Sequence, residues 1–313
     1  MMRTPPTQAG LWLLVGLVVG TAIGFGVGNW RSALHSPEDP PPPAATVTPE
    51  PHQGEVPSGD RGKLSLFILA GQSNMSGRGK MPPSGTPTHP RIFLFGNDYR
   101  WHLASEPTDD ATNQVDLVSE DKAAGFSPGM AFARGLLERG FEPPIGLIPC
   151  AKAGTAIAEW QRSMSDRTLY GSCLKRVRAA STMGKIAGLL FFQGEADGTD
   201  PQADSQVERS PYTWDRKFTA FVTDFRNDLG LPDLPVVFAE IAPHPSGEPN
   251  PFRQMVKAQQ RGLELPNGGM ITTDGLEQKP DDHFTTESYR IIGDRFAEAF
   301  WKLQQPSKTD REK

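Results

Sequence analysis

The chain has little of what marks a metalloprotein, a nucleic-acid binder or a repeat protein. Cys150 and Cys173 are the only cysteines in 313 residues. Neither has a histidine at ligand spacing, so no metal centre is implied. Lysine and arginine form no cluster and the formal net charge is −5, which excludes nucleic acid as the main partner. Nothing repeats at solenoid or propeller periods. One serine, Ser127, matches the G-x-S-x-G pattern of the α/β-hydrolases (GFSPG), but it opens a helix with Pro128 after a polar stretch instead of following an apolar strand, which argues against that fold.

Charge is missing altogether from residues 11–28, LWLLVGLVVGTAIGFGVG. At 1.5 Å per residue this run spans about 27 Å, close to the hydrocarbon core of a bilayer. Trp12 and Trp30 bracket it as interfacial aromatics do. The expectation is a short tail over 1–10 and a transmembrane anchor over 11–30, with a large polar domain outside the cytoplasm. A cleaved signal peptide, leaving a secreted or periplasmic protein, is the alternative, because Arg3 precedes the apolar run. No A-x-A-like cleavage site follows it. Gly16, Gly20, Gly24 and Gly28 place small residues on one helix face, which permits a homodimer through this Gly-x-x-x-Gly face. The frequency of glycine in membrane helices accounts for the pattern equally well.

Residues 31–62 are an expected linker, Pro-rich from Ser36 onward and unable to bury a core. The folded domain is expected over 63–305, with a polar tail over 306–313. Outside the cytoplasm Cys150 and Cys173 are able to pair, closing a loop of about 23 residues worth roughly 3 kcal/mol. Two buried free thiols are the alternative.

Within the domain, apolar runs alternate with helical patterns. Leu64–Gly71 (LSLFILAG) reads as a buried strand that stops at a glycine. Further strands are expected at Arg91–Phe95, Ile145–Pro149, Ile186–Phe192, Pro235–Ile241 and Gly269–Thr273. Helices are expected from Ser127-Pro128 to Gly140, over Leu169–Met183, from Ser210-Pro211 to Gly230, over Phe252–Leu265, and along the Tyr289, Ile292, Phe296 and Phe300 stripe. Strands alternating with helices argue for a parallel sheet covered on both faces. Residues 97–127 and 198–210 read as loops without a decipherable selectivity code.

In such sheets ligands bind at the carboxyl ends of the strands. Three loops there carry useful side chains: Ser73 after the first strand, Gln193 to Asp197 after Phe192, and Asp281, Asp282 and His283 after the last. A serine hydroxyl needs a base to take its proton, and an imidazole oriented by a carboxylate supplies one. The plainer reading of Ser73 is a helix cap, and of Glu195 a loop carboxylate holding Arg or backbone N–H groups. Asp197 reads as structural. Trp101 and Trp160 read equally as core residues or sugar-stacking platforms.

AGQSNMSGRG resembles the first block of the SGNH (GDSL-like) hydrolase superfamily. The form is that of the sialate O-acetylesterase-like and acetylxylan esterase group (carbohydrate esterase family 6). KAGTAIAEW, FFQGEAD and DDHFTTESYRIIG are similar to its later blocks, so the resemblance runs from about Leu64 to Phe300. It implies a flavodoxin-like three-layer α/β/α sandwich with a central parallel sheet. It also implies a serine esterase acting on acetylated carbohydrate without metal or cofactor. Carried over, Ser73 is the nucleophile and His283 the general base. The N–H groups of Ser73 and Gly154 and the side chain of Gln193 form the oxyanion hole, worth roughly 3–4 kcal/mol per donor. Gln72, Asn74 and His244 are expected to touch substrate, and His244 is also a rival base. Many superfamily members carry an aspartate three residues before the histidine, where this chain has Pro280. The acid is therefore expected at Glu195 first and at Asp281 second. A non-catalytic carbohydrate binder with a decayed site, and a lipid or thioester hydrolase using the same triad, are the alternatives.

Overall fold

A computed structural model describes residues 56–202 and 208–305 of the chain. Seven strands form one sheet: β1 (Leu64–Gly71), β2 (Ile92–Phe95), β3 (Trp101–Leu103), β4 (Ile145–Pro149), β5 (Gly184–Phe192), β6 (Val236–Ala239) and β7 (Gly268–Ile271). Their order is β3-β2-β4-β1-β5-β6-β7. Every neighbouring pair is parallel except β2 with β3. β1 lies at the centre, paired with β4 on one side and β5 on the other.

Alternation along β1 explains the layers. Successive strand side chains point to opposite faces, so both faces of an apolar strand need cover. Leu66, Ile68 and Ala70 join one apolar cluster, with Leu174 and Val177 of α3 (Leu169–Ala180), Phe218 and Phe221 of α4 (Trp214–Leu229) and Val256 of α5 (Pro251–Gly262). Phe67 and Leu69 join the other, with Phe132 and Leu136 of α2 (Gly129–Glu138) and Ile292 and Phe296 of α6 (Thr286–Leu303). The result is the expected three-layer α/β/α sandwich. Trp101 and Trp160 are buried core residues rather than sugar platforms.

Local chemistry sets the helix ends. Thr168, Asn250 and Thr285 accept the N-terminal N–H groups of α3, α5 and α6, and Pro251 follows its cap at the first helical position. Gly230 ends α4 in the left-handed conformation. The antiparallel edge strand β3 falls within a segment expected to be irregular. It is three residues long, with only Trp101 fully buried, too little to leave a periodic signal.

Cys150, directly after β4, is bonded to Cys173 of α3. The bridge ties a strand end to the helix covering it, and no free thiol remains.

The expected membrane role is corrected. Among the described residues no helix is long and apolar enough to cross a membrane. The proposed anchor at 11–30, its Gly-x-x-x-Gly face and the 31–55 part of the linker lie outside the described residues, and a membrane partner is not carried further.

Candidate active site

The site is built at the carboxyl ends of β1, β4, β5 and β7, where an open α/β sheet leaves its crevice. β1 ends at Gly71, whose φ is +130° and whose added Cβ would lie 2.1 Å from the Phe192 carbonyl oxygen. Only glycine allows β1 and β5 to approach this closely at their ends. Ser73 then opens the short helix α1 (Ser73–Ser76), so its N–H has no intrahelical acceptor.

His283 arrives from the far end of the chain on a small hairpin. The Thr285 N–H donates to the Glu277 carbonyl at 3.2 Å, and the Lys279 N–H to the His283 carbonyl at 2.7 Å. Between them Gln278 bridges Phe284. Pro280, Asp281 and Asp282 form the three-residue tip, and Asp282 has φ +72°. A three-residue hairpin loop characteristically ends in a left-handed residue, and aspartate is among the few side chains that tolerate it. The imidazole Nε2 comes to 3.0 Å from Ser73 Oγ.

Two carboxylates were expected to compete for the other imidazole nitrogen, and the geometry separates them. Asp281 Oδ1 lies 3.4 Å from His283 Nδ1, an ion-pair distance rather than a short hydrogen bond. Its side chain is 57% exposed, and Lys279 Nζ sits 3.1 Å from its second oxygen. Slight burial works against ionisation, but Lys279 and the imidazole hold the Asp281 carboxyl below its ordinary range.

Glu195, the first expectation for this place, is bonded elsewhere. Its Oε1 accepts from Asn74 Nδ2 at 2.6 Å, and its Oε2 is buried without a partner. Burial pushes Glu195 up to about 7, against the pull of Arg253 and the Asn74 hydrogen bond, and Asp282 adds to the rise. Neither oxygen bonds the imidazole or an arginine, and the one side-chain partner Glu195 holds is Asn74.

Three further expectations are corrected. Gln193 is fully buried, and its amide donates to Asp197 at 2.7 Å and to the Thr155 carbonyl at 2.9 Å. Its oxygen accepts from Trp214 Nε1 at 2.8 Å, so the side chain is spent inside the fold and does not line the cleft. Asn74 is also buried, bonded to Glu195 and, through its oxygen, to the Tyr289 hydroxyl at 2.7 Å. His244 is exposed and lines a separate hollow with Asp200 and Phe252. Asp197 is structural as read: it accepts from the N–H groups of Ile157 and Ser210, both at 2.8 Å.

Gln72, Ser73, Gly154, Glu195, Asp282 and His283 do line one cleft, of about 330 Å³. Gln72 Oε1 faces the N–H groups of Gly194 and Ala196, each at 3.3 Å. Its Nε2 has no acceptor among the described residues. Gly154 has φ +72° with open space where a Cβ would stand. Arg78, a cleft residue not singled out from the sequence, donates to both oxygens of Asp121 at 2.8 and 2.7 Å and to the Gly77 carbonyl. Its AGQSNMSGRG position was legible, but its buried partner lies 43 residues away. Burial pushes the His283 imidazole below its ordinary 6.5, helped by Arg78 and Lys279 and opposed by Asp281.

Comparison with known proteins adds the family. Residues 63–302 match the model of the family described as carbohydrate esterase, sialic acid-specific acetylesterase. A probable carbohydrate esterase of Arabidopsis thaliana is 35% identical over 254 residues, covering 75% of this chain and 89% of the relative. A crystal structure of an Arabidopsis thaliana protein is similar at 32% identity and a TM-score of 0.64, covering 77% of this chain and 98% of that one. A carbohydrate acetylesterase from Xanthomonas citri shares the fold at 19% identity and a TM-score of 0.55, over 76% of this chain and 56% of that one.

Proposed function

The chain belongs to the sialic acid-specific acetylesterase family of carbohydrate esterases and is a carboxylic ester hydrolase, and we propose that it deacetylates carbohydrates through an acyl-Ser73 intermediate. Ser73 Oγ attacks the acetyl carbonyl while His283 Nε2 takes its proton. The N–H groups of Ser73 and Gly154 and the Gln72 amide bear the developing oxyanion, Gln72 standing where Gln193 was expected. Collapse of the tetrahedral species breaks the ester bond, and the imidazolium returns its proton to the departing sugar oxygen. Water then attacks the acetyl-serine with the same base, releasing acetate and restoring Ser73. Asp281 is the acid facing Nδ1.

The 3.0 Å contact between Ser73 Oγ and His283 Nε2 carries this reading. Replacing Ser73 with Ala is expected to lower kcat on p-nitrophenyl acetate and on an acetylated oligosaccharide by roughly 10⁴-fold or more, with the melting temperature retained. Unchanged turnover rejects the reading. Binding of acetylated glycans without turnover of any ester replaces it with a binding module.

Charge around the cleft supports a neutral sugar. Arg78 is the one cation among the described residues lining it, and its guanidinium is already paired with Asp121. Glu195 and Asp282 share that wall, and Asp200 and Glu248 line the neighbouring hollow. Among the described residues lining these two hollows, a sugar carboxylate finds no unpaired positive charge. An O-acetylated sialic acid is therefore expected to be a poorer substrate than its methyl ester, by kcat/KM at low salt. A tenfold preference for the free acid overturns this. The disulfide supports an extracytoplasmic setting.

A further inference from the structure

The histidine hairpin departs from a spacing common in the SGNH superfamily, and the structure contains a device that answers the departure. Asp281 stands two residues before His283, and Pro280 stands three before it. For Asp281 to face Nδ1, the chain must turn sharply at Asp282, which it does through a positive φ of 72°. A non-glycine residue holds that conformation at a cost, and keeps it where its surroundings impose it.

Those surroundings are specific. Arg253, in the first turn of α5 and 3% exposed, donates from Nη1 to Asp282 Oδ2 at 2.8 Å. Its Nε donates to the Ala242 carbonyl at 2.6 Å, just beyond β6. Its backbone N–H is capped by Asn250 at 3.0 Å. The guanidinium therefore has a fixed origin in the scaffold and a single carboxylate on the hairpin. On the other side the Asp282 carbonyl receives a long hydrogen bond, 3.4 Å, from Asn74 Nδ2, which is itself held by Glu195. Asp282 is thus gripped through both its side chain and its backbone, and neither grip touches the reacting atoms.

We infer that Arg253 is a positioning residue: by clamping Asp282 in its left-handed turn it keeps Asp281 and His283 aligned with Ser73. The inference rests on the esterase reading above, in which His283 is the base. A buried arginine anchored to a strand end is suited to this, since a planar fork fixes direction as well as charge. The clamp acts on alignment and not on substrate, so its loss lowers kcat and leaves KM nearly alone.

The test uses Arg253→Gln, Arg253→Lys, Asp282→Asn and the double variant Arg253→Gln/Asp282→Asn in the full chain, with Ser73→Ala as reference. Initial rates are measured on p-nitrophenyl acetate, with melting temperatures alongside. Arg253→Gln is expected to lower kcat ~10- to 100-fold with KM within about twofold. Arg253→Lys should recover part of the loss, and the double variant should be no worse than the poorer single one. Asp282→Asn removes the charge at a side chain 34% exposed while keeping a residue that tolerates positive φ. It tests the clamp even where Arg253→Gln fails to fold. Full kcat in folded Arg253→Gln or Asp282→Asn, losses confined to KM, or losses that multiply in the double variant overturn the inference. Activity that survives in Ser73→Ala instead overturns the esterase reading beneath it.

Discussion

Two loops beside the same cleft each offer a carboxylate, and they offer it in opposite states. The loop after β5 presents Glu195, buried and pushed up to about 7. The hairpin after β7 presents Asp281, more than half exposed and held below its ordinary range. An acid partner for an imidazole has to be charged when the imidazole is protonated. Asp281 meets that condition across the working range, whereas Glu195 is partly protonated near neutrality. Its place in FFQGEAD, the segment that resembles a block of the esterase group, favours Glu195. Solvation and the 3.4 Å approach to Nδ1 favour Asp281.

Substituting each carboxylate by its amide breaks the comparison most sharply. Asp281→Asn is expected to lower kcat by ~10²-fold, about 2.7 kcal/mol of barrier. This is less than the ~10⁴-fold seen when a buried triad aspartate is replaced, because the contact here is long and wet. Asp281 also raises the His283 pKa. Its loss should move the acid limb of kcat/KM, already below pH 6.5, to still lower pH. Glu195→Gln is expected to change kcat by less than about fivefold, since the amide oxygen remains able to accept from Asn74. The reverse ranking of the two variants in a pH–rate series returns the acid role to Glu195.

The same contrast shows how far the residues alone lead. β1 and the helical stripes were legible because burial on one face leaves a period in the sequence. Ser73 and His283 were legible because strand-end loops must meet at one rim. Which neighbour in a loop faces the cleft was not legible. Gln72 and Asn74 flank the same serine, yet one lines the cleft and the other is buried against Glu195. That choice is made by partners over a hundred residues away, such as Tyr289 and Gly194. Arg253 was missed for the same reason: its helix position gives its burial, but its partner Asp282 is set by the hairpin turn.

Stability sharpens the comparison from another side. Glu195 has a folded pKa of about 7 against 4.5 for the free side chain. The folded state therefore binds this proton more tightly than the unfolded chain. Its contribution is fully present below pH 4.5 and is lost as pH rises towards 7. Glu195→Gln carries no such proton. Relative to wild type the variant should gain ~2 to 3 kcal/mol of unfolding free energy between pH 5 and pH 8, read as the difference between two denaturant titrations. Glu106, another buried carboxyl pushed up to about 7, and Asp109, pushed up to about 6, titrate in both proteins and cancel in that difference. A flat difference across this range means that Glu195 stays ionised in the fold. The buried loop would then hold a charged acid on the same cleft, and the contrast between the two carboxylates would disappear.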